Sequence, residues 1–396
     1  MRRQREGDIT FPSRPSIGRA PERRARRPTC TSHSLPTAAT MTTAGPVPVP
    51  VDTAMDPESP VGWRIRTVEM HTAGEPVRIV VSGLPPIEGD TLLDKRRYCR
   101  DSLDRFRRLL MGEPRGHRDM FGAVLVPADD PKADAAALFI HNEGYCTMCG
   151  HASMAVVRYL VDEGVVPRAE TGDTEVNLQC PCGLVRAWLT QDNQTRFLSV
   201  PAFVLHKDLS LPLPDGRQCR MDISYGGSFY AVVRAGDLGL SSDSPSAEYV
   251  RQASYIRRHL TAAGVKIHHP DSADLGFLFG VVFADFAPLS VVAPPPEVVS
   301  QVIVFADGQV DRSPCGSGTT ACCAVLHAAG RLPTGHGCTF RCALTRSEFS
   351  GRVARETESH GRPAVVVQVA GRSFYTGRAE YLVEAEDPLG EGFLVQ

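Results

Sequence analysis

The sequence is short of the features that would direct a chain to a membrane, a nucleic acid or the extracellular space. No apolar run approaches the roughly 20 residues a helix needs to cross a bilayer. The 43 basic and 45 acidic residues leave a formal net charge of −2, so no global field favours nucleic acid or an anionic surface. An arginine-rich start is not followed by an apolar core, so the secretory leader pattern is missing. The 12 cysteines lack the short, regular spacing of a disulfide scaffold, which points to a reducing compartment. A cytoplasmic location is expected. Mitochondrial import is less favoured, because Glu6, Asp8, Glu22 and several prolines interrupt any amphipathic helix.

What is present divides into two parts. The first sixty residues hold nine arginines and much Pro, Ser and Thr, without an apolar period. Such a segment buries too little surface to order itself, so 1–60 is expected to be a disordered extension. From Trp63 the pattern changes. "WRIRTVEMHTAG" and "PVRIVVSG" alternate as strands and end in turn residues. Residues 91–114 carry Leu103, Phe106, Leu109 and Leu110 at helical spacing and stop before Pro114, which predicts a helix. Strands are expected at "GAVLVPA" and "AALFIHNEG", a helix at "HASMAVVRYLVDEG", and strands again at 174–190 and 196–205. The second half repeats the theme, with strands at 219–225, 228–234, 276–283 and 301–305, a helix near 246–263 and another after Cys315. Several strands follow from 338 to 385. This order is α+β rather than strict βαβ alternation. Two lobes, each with one central helix entered through a Cys-Gly turn, account for it.

The two turns are the informative feature. "GYCTMCGHASMAVVRYL" at 144–160 and "DRSPCGSGTTACCAVL" at 311–326 place Cys149 and Cys315 in matching contexts, 166 residues apart. In each, a strand ends, a Cys-Gly turn follows and a helix of small residues starts. Glycine after the thiol lets backbone N–H groups approach a ligand, and a helix start offers unpaired donors and positive potential. The same potential lowers a thiol's pKa from about 8.5 toward available thiolate. If the lobes face each other, two thiols and two sets of amides converge on a small carboxylate. One thiolate would remove the proton beside that carboxylate and the other thiol would return one on the opposite face. That chemistry needs no metal and no organic cofactor, and none is expected.

Competing readings rest on thinner patterns. Cys146, Cys149 and His151 would supply half a zinc site, but zinc sites show two paired spacings and "CPC" at 180–182 is the nearest partner. The same C-x-x-C could be a redox pair, although that pattern favours the first cysteine at the helix mouth. "GSGTT" lacks the lysine and the spacing of a phosphate loop. A binding protein that kept the fold without turnover is the contrasting class, and the intact acid–base residues argue against it.

These motifs resemble the proline racemase family, which shares the fold of diaminopimelate epimerase. "HTAGEP" at 71–76, "EPRGH" at 113–117, "NEGYCTMCGHA" at 142–152 and "VDRSPCGSGTTA" at 310–321 carry the likeness, which runs from about Trp63 to the C-terminal end. The resemblance implies two pseudo-symmetric lobes, each a curved mixed sheet around a central helix. The first would comprise 61–203 plus 350–396 and carry Cys149. The second would comprise 204–349 and carry Cys315. It further implies Cys149 as proton acceptor and Cys315 as the opposite-face acid or base. Gly150 and His151, with Gly316 and Ser317, would hold the carboxylate, and Asp311 would receive the ring ammonium. The implied partner is proline or a hydroxyproline, with no nucleic acid and no membrane, and a homodimer is compatible with the family.

Within the family, residues 95–127 look most like the trans-3-hydroxy-L-proline dehydratases of animals. That branch typically has threonine where this chain has Cys315, whereas cysteine is the pattern of racemases and epimerases. In trans-3-hydroxy-L-proline the α-hydrogen and the hydroxyl share a ring face, so dehydration needs no acid on the other face. Stereoinversion does need one. Two activities therefore stay open at this level, two-base racemisation or epimerisation and single-base dehydration.

Overall fold

Small residues decide where the helices of this protein sit. A computed structural model describes residues 62–213 and 215–395; the extension expected at 1–60 lies outside the described residues. The chain opens with the antiparallel pair β1 (Trp63–Thr72) and β2 (Glu75–Ser82). Helices α1 (Leu92–Ser102) and α2 (Asp104–Met111) then cross over to β3 (Phe121–Val126), which lies parallel to β2. Parallel neighbours require such a crossover. Strand β4 (Ala135–His141) and the short β5 (Gly144–Cys146) return antiparallel and lead into α3 (Gly150–Asp162). After α3 come β6 (Thr174–Cys180), parallel to β4, and the antiparallel strands β7 (Gly183–Leu189) and β8 (Gln194–Leu198).

The second half repeats this pairing plan. Strands β9 (Phe203–Pro212), β10 (Gln218–Tyr225) and β11 (Phe229–Arg234) pair antiparallel. Helix α4 (Ser246–Ala262) crosses over to β12 (Leu278–Asp285), parallel to β11. Strand β13 (Val298–Phe305) and the two-residue β14 (Gln309–Val310) lead into α5 (Gly316–Ala328). Strand β15 (Gly337–Cys342) is parallel to β13, and β16 (Glu348–Ser359) and β17 (Arg362–Val383) complete the chain's sheet. Helix, parallel step and hairpin occur in the same order twice, so the halves are pseudo-symmetric and the fold is α+β.

Strand β17 serves both halves. Its first part pairs with β16, its middle with β8 and its last part with β1, and Val365 is bridged to Ala202 just before β9. The first half thereby closes as a ring β1-β2-β3-β4-β6-β7-β8-β17 around α3, and the second as β9-β10-β11-β12-β13-β15-β16-β17 around α5, shut by the Ala202–Val365 bridge. A helix inside a ring must be apolar or small on every side. In α3 the buried set is Gly150 to Val157 with Leu160 and Val161, and in α5 it runs unbroken from Gly316 to Leu326. Both helices belong to one continuous apolar core, whereas α4 and the α1–α2 pair pack on separate clusters outside the rings.

The single helix expected over 91–114 is two helices. Thr91 caps α1 through a reciprocal bond with Asp94, and the chain leaves helical geometry at Leu103. Asp104 restarts it as an acidic first-turn residue and accepts from Arg107 Nε at 2.6 Å. The break turns Arg107 inward, where Nη1 donates to the carbonyls of His141 (3.0 Å) and Asn142.

Candidate active site

The mouths of α3 and α5 meet at two glycines. A Cβ added to Gly316 would lie 2.5 Å from the Cα of Gly150, and one added to Gly150 would strike Gly316 in return. Nothing larger than hydrogen fits between them. The contact is reinforced by the turn between β10 and β11, where Gly226 lies against α5 and Gly227 (φ 100°) against Met148. Thr147 Oγ1 donates to the Gly227 carbonyl at 2.8 Å, so the residues before Cys149 are tied to the opposite half.

Each cysteine caps its helix. Cys149 is extended (φ −140°, ψ 107°) and its Sγ accepts from the Ala152 amide at 3.4 Å. Cys315 Sγ accepts from the Gly318 amide at 3.3 Å. Both sulfurs occupy the place that a serine or aspartate oxygen usually takes. Cys315 does so at φ 61°, ψ 121°, a left-handed value that a non-glycine residue holds only under restraint. The restraint is a chain of bonds. The Cys315 amide donates to Ser313 Oγ (3.0 Å), and Ser313 Oγ and N both donate to Asp311 Oδ1 (2.7 and 2.8 Å). Among the described residues, no acceptor is bonded to the N–H groups of Gly150, His151, Gly316 or Ser317. Two pairs of helix-start amides are therefore aimed at the seam between the thiols.

The surroundings of the sulfurs differ. His151 Nδ1 lies 3.1 Å from Cys149 Sγ, and its ring stands edge-on to Phe121 at 4.8 Å. Near Cys315, the Tyr230 hydroxyl is 3.6 Å from Sγ and 2.7 Å from Ser317 Oγ, which is itself 3.7 Å from Sγ. An aromatic wall continues the seam. Phe121 stacks on His141 (5.8 Å), Phe279 stacks on Phe305 (5.4 Å), and His141 meets both of these edge-on at 5.9 Å.

Burial governs the electrostatics. The two thiols are only 4% and 6% exposed, for Cys149 and Cys315 respectively. Desolvation pushes Cys149 well above the ordinary thiol value, and Cys146, Cys315 and Asp311 add to it against the pull of the Ala152 amide. Desolvation and then Asp311 likewise raise Cys315, opposed by Tyr230, the Gly318 amide and Ser317. Burial thus reverses the lowering expected from the helix starts, because removal from water outweighs one amide donor. Burial holds His151 neutral by lowering it to about 3. Asp311 is raised to about 6 by burial, against the two Ser313 donors.

All seven residues singled out from sequence are gathered here: Cys149, Gly150, His151, Asp311, Cys315, Gly316 and Ser317. Sequence reading missed Tyr230, Ser313 and Glu75. The Gly226-Gly227 pair beside aromatic residues was the available sign of close backbone approach near Tyr230. Nothing in the spacing of "HTAGEP" marks Glu75 as buried against the other half. Among the described residues, no group of three or more His, Cys, Asp or Glu is placed to hold a metal ion.

The sequence profile described as proline racemase matches residues 67–394. The chain belongs to the proline racemase family. It is an enzyme, and its relatives in this family carry two names. It is 46% identical over 348 residues to human trans-3-hydroxy-L-proline dehydratase, covering 86% of this chain and 96% of that protein. The dehydratase of Colwellia psychrerythraea is 39% identical over 337 residues, covering 84% and 93%. Among solved structures, the hydroxyproline epimerase of Agrobacterium vitis with bound trans-4-hydroxy-L-proline superimposes with a TM-score of 0.76 at 29% identity, covering 84% of this chain and 96% of that one. Proline racemase family membership accords with the doubled helix-in-ring plan.

Proposed function

We propose that the protein inverts the α-carbon of proline or a hydroxyproline by a two-base mechanism. The observation that carries this reading is the pair of N-capping thiols whose helix starts abut at Gly150 and Gly316. The substrate carboxylate lies against the free amides of Gly150, His151, Gly316 and Ser317, and the ring ammonium faces Asp311. Cys149, as thiolate, takes the α-proton of the L-substrate. The electron pair left on Cα spreads into the carboxylate as an enediolate, which the amides stabilise. Cys315 then donates its S–H proton to the opposite face of Cα. One C–H bond is broken and one formed, and the thiolate has moved from Cys149 to Cys315.

Neutral His151, with Nδ1 at 3.1 Å, is placed to accept from the Cys149 thiol before the substrate binds. The incoming ammonium supplies the positive charge that burial otherwise denies a thiolate, so Cys149 ionises on binding and its proton passes to solvent. Tyr230, Ser317 and the Gly318 amide are the donors available to Cys315 when it holds the negative charge. No step requires a metal or an organic cofactor.

The second reading is dehydration of trans-3-hydroxy-L-proline to pyrroline-2-carboxylate, with Cys149 as the single base. The names of the human and Colwellia relatives favour it. The residue at 315 discriminates, because a leaving hydroxyl on the Cys149 face needs no acid behind the ring. The test is incubation with L-proline, trans-4-hydroxy-L-proline and trans-3-hydroxy-L-proline in deuterated water, followed by chiral chromatography and assay of pyrroline-2-carboxylate. We expect inverted product carrying deuterium at Cα. Cys315→Thr should lower inversion by at least the roughly 10²-fold typical of a lost general acid, with dehydration persisting or rising. Pyrroline-2-carboxylate as the sole wild-type product, unchanged in Cys315→Thr, overturns the two-base reading.

A further inference from the structure

Glu75 is a carboxylate in a place where a carboxylate should not be alone. It starts β2 at the tip of the first hairpin and is fully buried. Its Oε2 accepts from the Arg312 amide at 2.6 Å, which fastens it beside Asp311 in the opposite half. Its Oε1 is buried and has no hydrogen-bond partner. The nearest cation is a poor match. Arg312 Nη1 is 3.8 Å from Oε2, the side chain is 36% exposed, and its Nη2 is turned to Asp119 at 3.7 Å.

The charged and titratable groups around this position are mostly acidic. Asp311 and Asp119 both act on Glu75 as like charges, with Arg312 the opposing cation. Asp119 is half-buried with Oδ1 unpartnered, and it is faced by Arg312, Arg118 and His117. Cys149 and Cys315 face Asp311 from the two helix mouths. Two buried carboxylates sharing one partial cation cannot both ionise at low cost, and such a pair titrates as a unit. Desolvation and then Asp311 drive Glu75 well above the usual carboxylate range, and burial raises Asp311 as well. Asp311 Oδ1 accepts two bonds from Ser313 whereas Glu75 Oε1 accepts none, so a proton shared by the pair sits on the glutamic side.

We propose that Glu75 is a positioning residue that holds a proton in the empty site and releases it to solvent when the substrate's ring ammonium arrives beside Asp311. The proposal deepens the functional reading above and rests on its placement of the ammonium. The balance is simple. The amino acid enters as a zwitterion, the Glu75 carboxyl becomes carboxylate, and one proton passes to the buffer. Two carboxylates then face one ammonium, with Arg312 as the second cation. A ligand of the same shape with an uncharged ring nitrogen gives no reason for release.

The test uses the full chain at pH 7. Infrared difference spectra should show the C=O stretch of a protonated carboxyl in the free wild type that is missing in Glu75→Gln. Calorimetry of L-proline or trans-4-hydroxy-L-proline binding, run in buffers of different ionisation enthalpy, should release about one proton more per site in the wild type than in Glu75→Gln, and pyrrole-2-carboxylate should show about no such difference. In Glu75→Gln only the Cys149 proton should remain to be released, and KM should rise about tenfold at pH 7 with a smaller change in kcat. A wild type that binds the amino acid with no proton release overturns the proposal, whether or not the variant folds. A carboxyl band that survives amino-acid binding overturns it too. The free-protein band does not depend on turnover, so failure of this inference and failure of the two-base reading are separable.

Discussion

Replacing Gly316 by alanine should separate catalysis from folding. The added Cβ would sit 2.5 Å from the Cα of Gly150 and 3.2 Å from both the Gly150 carbonyl carbon and Phe197 Cζ. Carbon atoms rest comfortably at about 3.5–4.0 Å, so the two helix mouths must part by about 1 Å. The neighbour is backbone at the start of a buried helix, so rotation of a side chain cannot relieve it. Overpacking of this kind costs about 1–3 kcal/mol, a modest loss for a chain of this size. The chemistry is more demanding. Both thiols and all four free amides are referenced to these two glycines, and a displacement of about 1 Å between reacting groups costs on the order of 10²-fold in rate. The assay is deuterium incorporation at Cα of the turned-over amino acid, with a thermal melt alongside. The expected variant is folded, melts a few degrees lower, and exchanges its α-proton about 10²-fold more slowly. Exchange within about threefold of wild type would refute the claim that the abutting helix mouths set the reacting geometry.

Other outcomes follow from the same site. Cys149→Ser should lose at least about 10²-fold of α-proton exchange, because a hydroxyl is far less acidic than a thiol; retention of most activity removes Cys149 from the chemistry. Tyr230→Phe should slow inversion about 10-fold or more while sparing proton removal from the L-substrate, since only Cys315 loses a donor; equal loss in both would point to a packing role. Iodoacetamide should modify Cys149 slowly at neutral pH, with a rate climbing about tenfold per pH unit through pH 9, because the raised pKa keeps the thiolate a minor form below it. Pyrrole-2-carboxylate should block that modification, as read by peptide mass spectrometry, and unprotected alkylation would place the reactive thiol elsewhere. Ser313→Ala should lower the melting temperature through two lost buried bonds worth about 1–3 kcal/mol and reduce inversion, because it frees Cys315 from its left-handed turn.

The sequence carried the site further than it carried the electrostatics. Both helix mouths were legible because Cys-Gly followed by small residues is a local pattern with one physical purpose, close approach. Most strands were legible from alternation, including the return to strands after 338. The break at Leu103 was not, since Leu103 and Phe106 keep a helical apolar period across it and only the acid at Asp104 marks a new start. The thiol pKa was misjudged from sequence for a related reason. A helix start is a local feature, whereas burial by strands remote in the sequence, β17 above all, is not. Tyr230 and Glu75 were hidden in the same way. Each reaches the seam from a strand whose own pattern reads as ordinary core.

The long strand β17 has a mechanical consequence. Its Gln368–Ala370 segment is hydrogen-bonded to β16 on one side and to β8 on the other, and from Ser373 it becomes the wall of the first ring against β1. Both helices pack on it. The two rings are therefore woven from one thread rather than tethered by a linker, and neither can swing open as a free door. Gly371 offers no hinge, since it is paired with Thr195 and Phe349 fills the space where its side chain would stand. The register of the two sulfurs is thus set by the sheet itself.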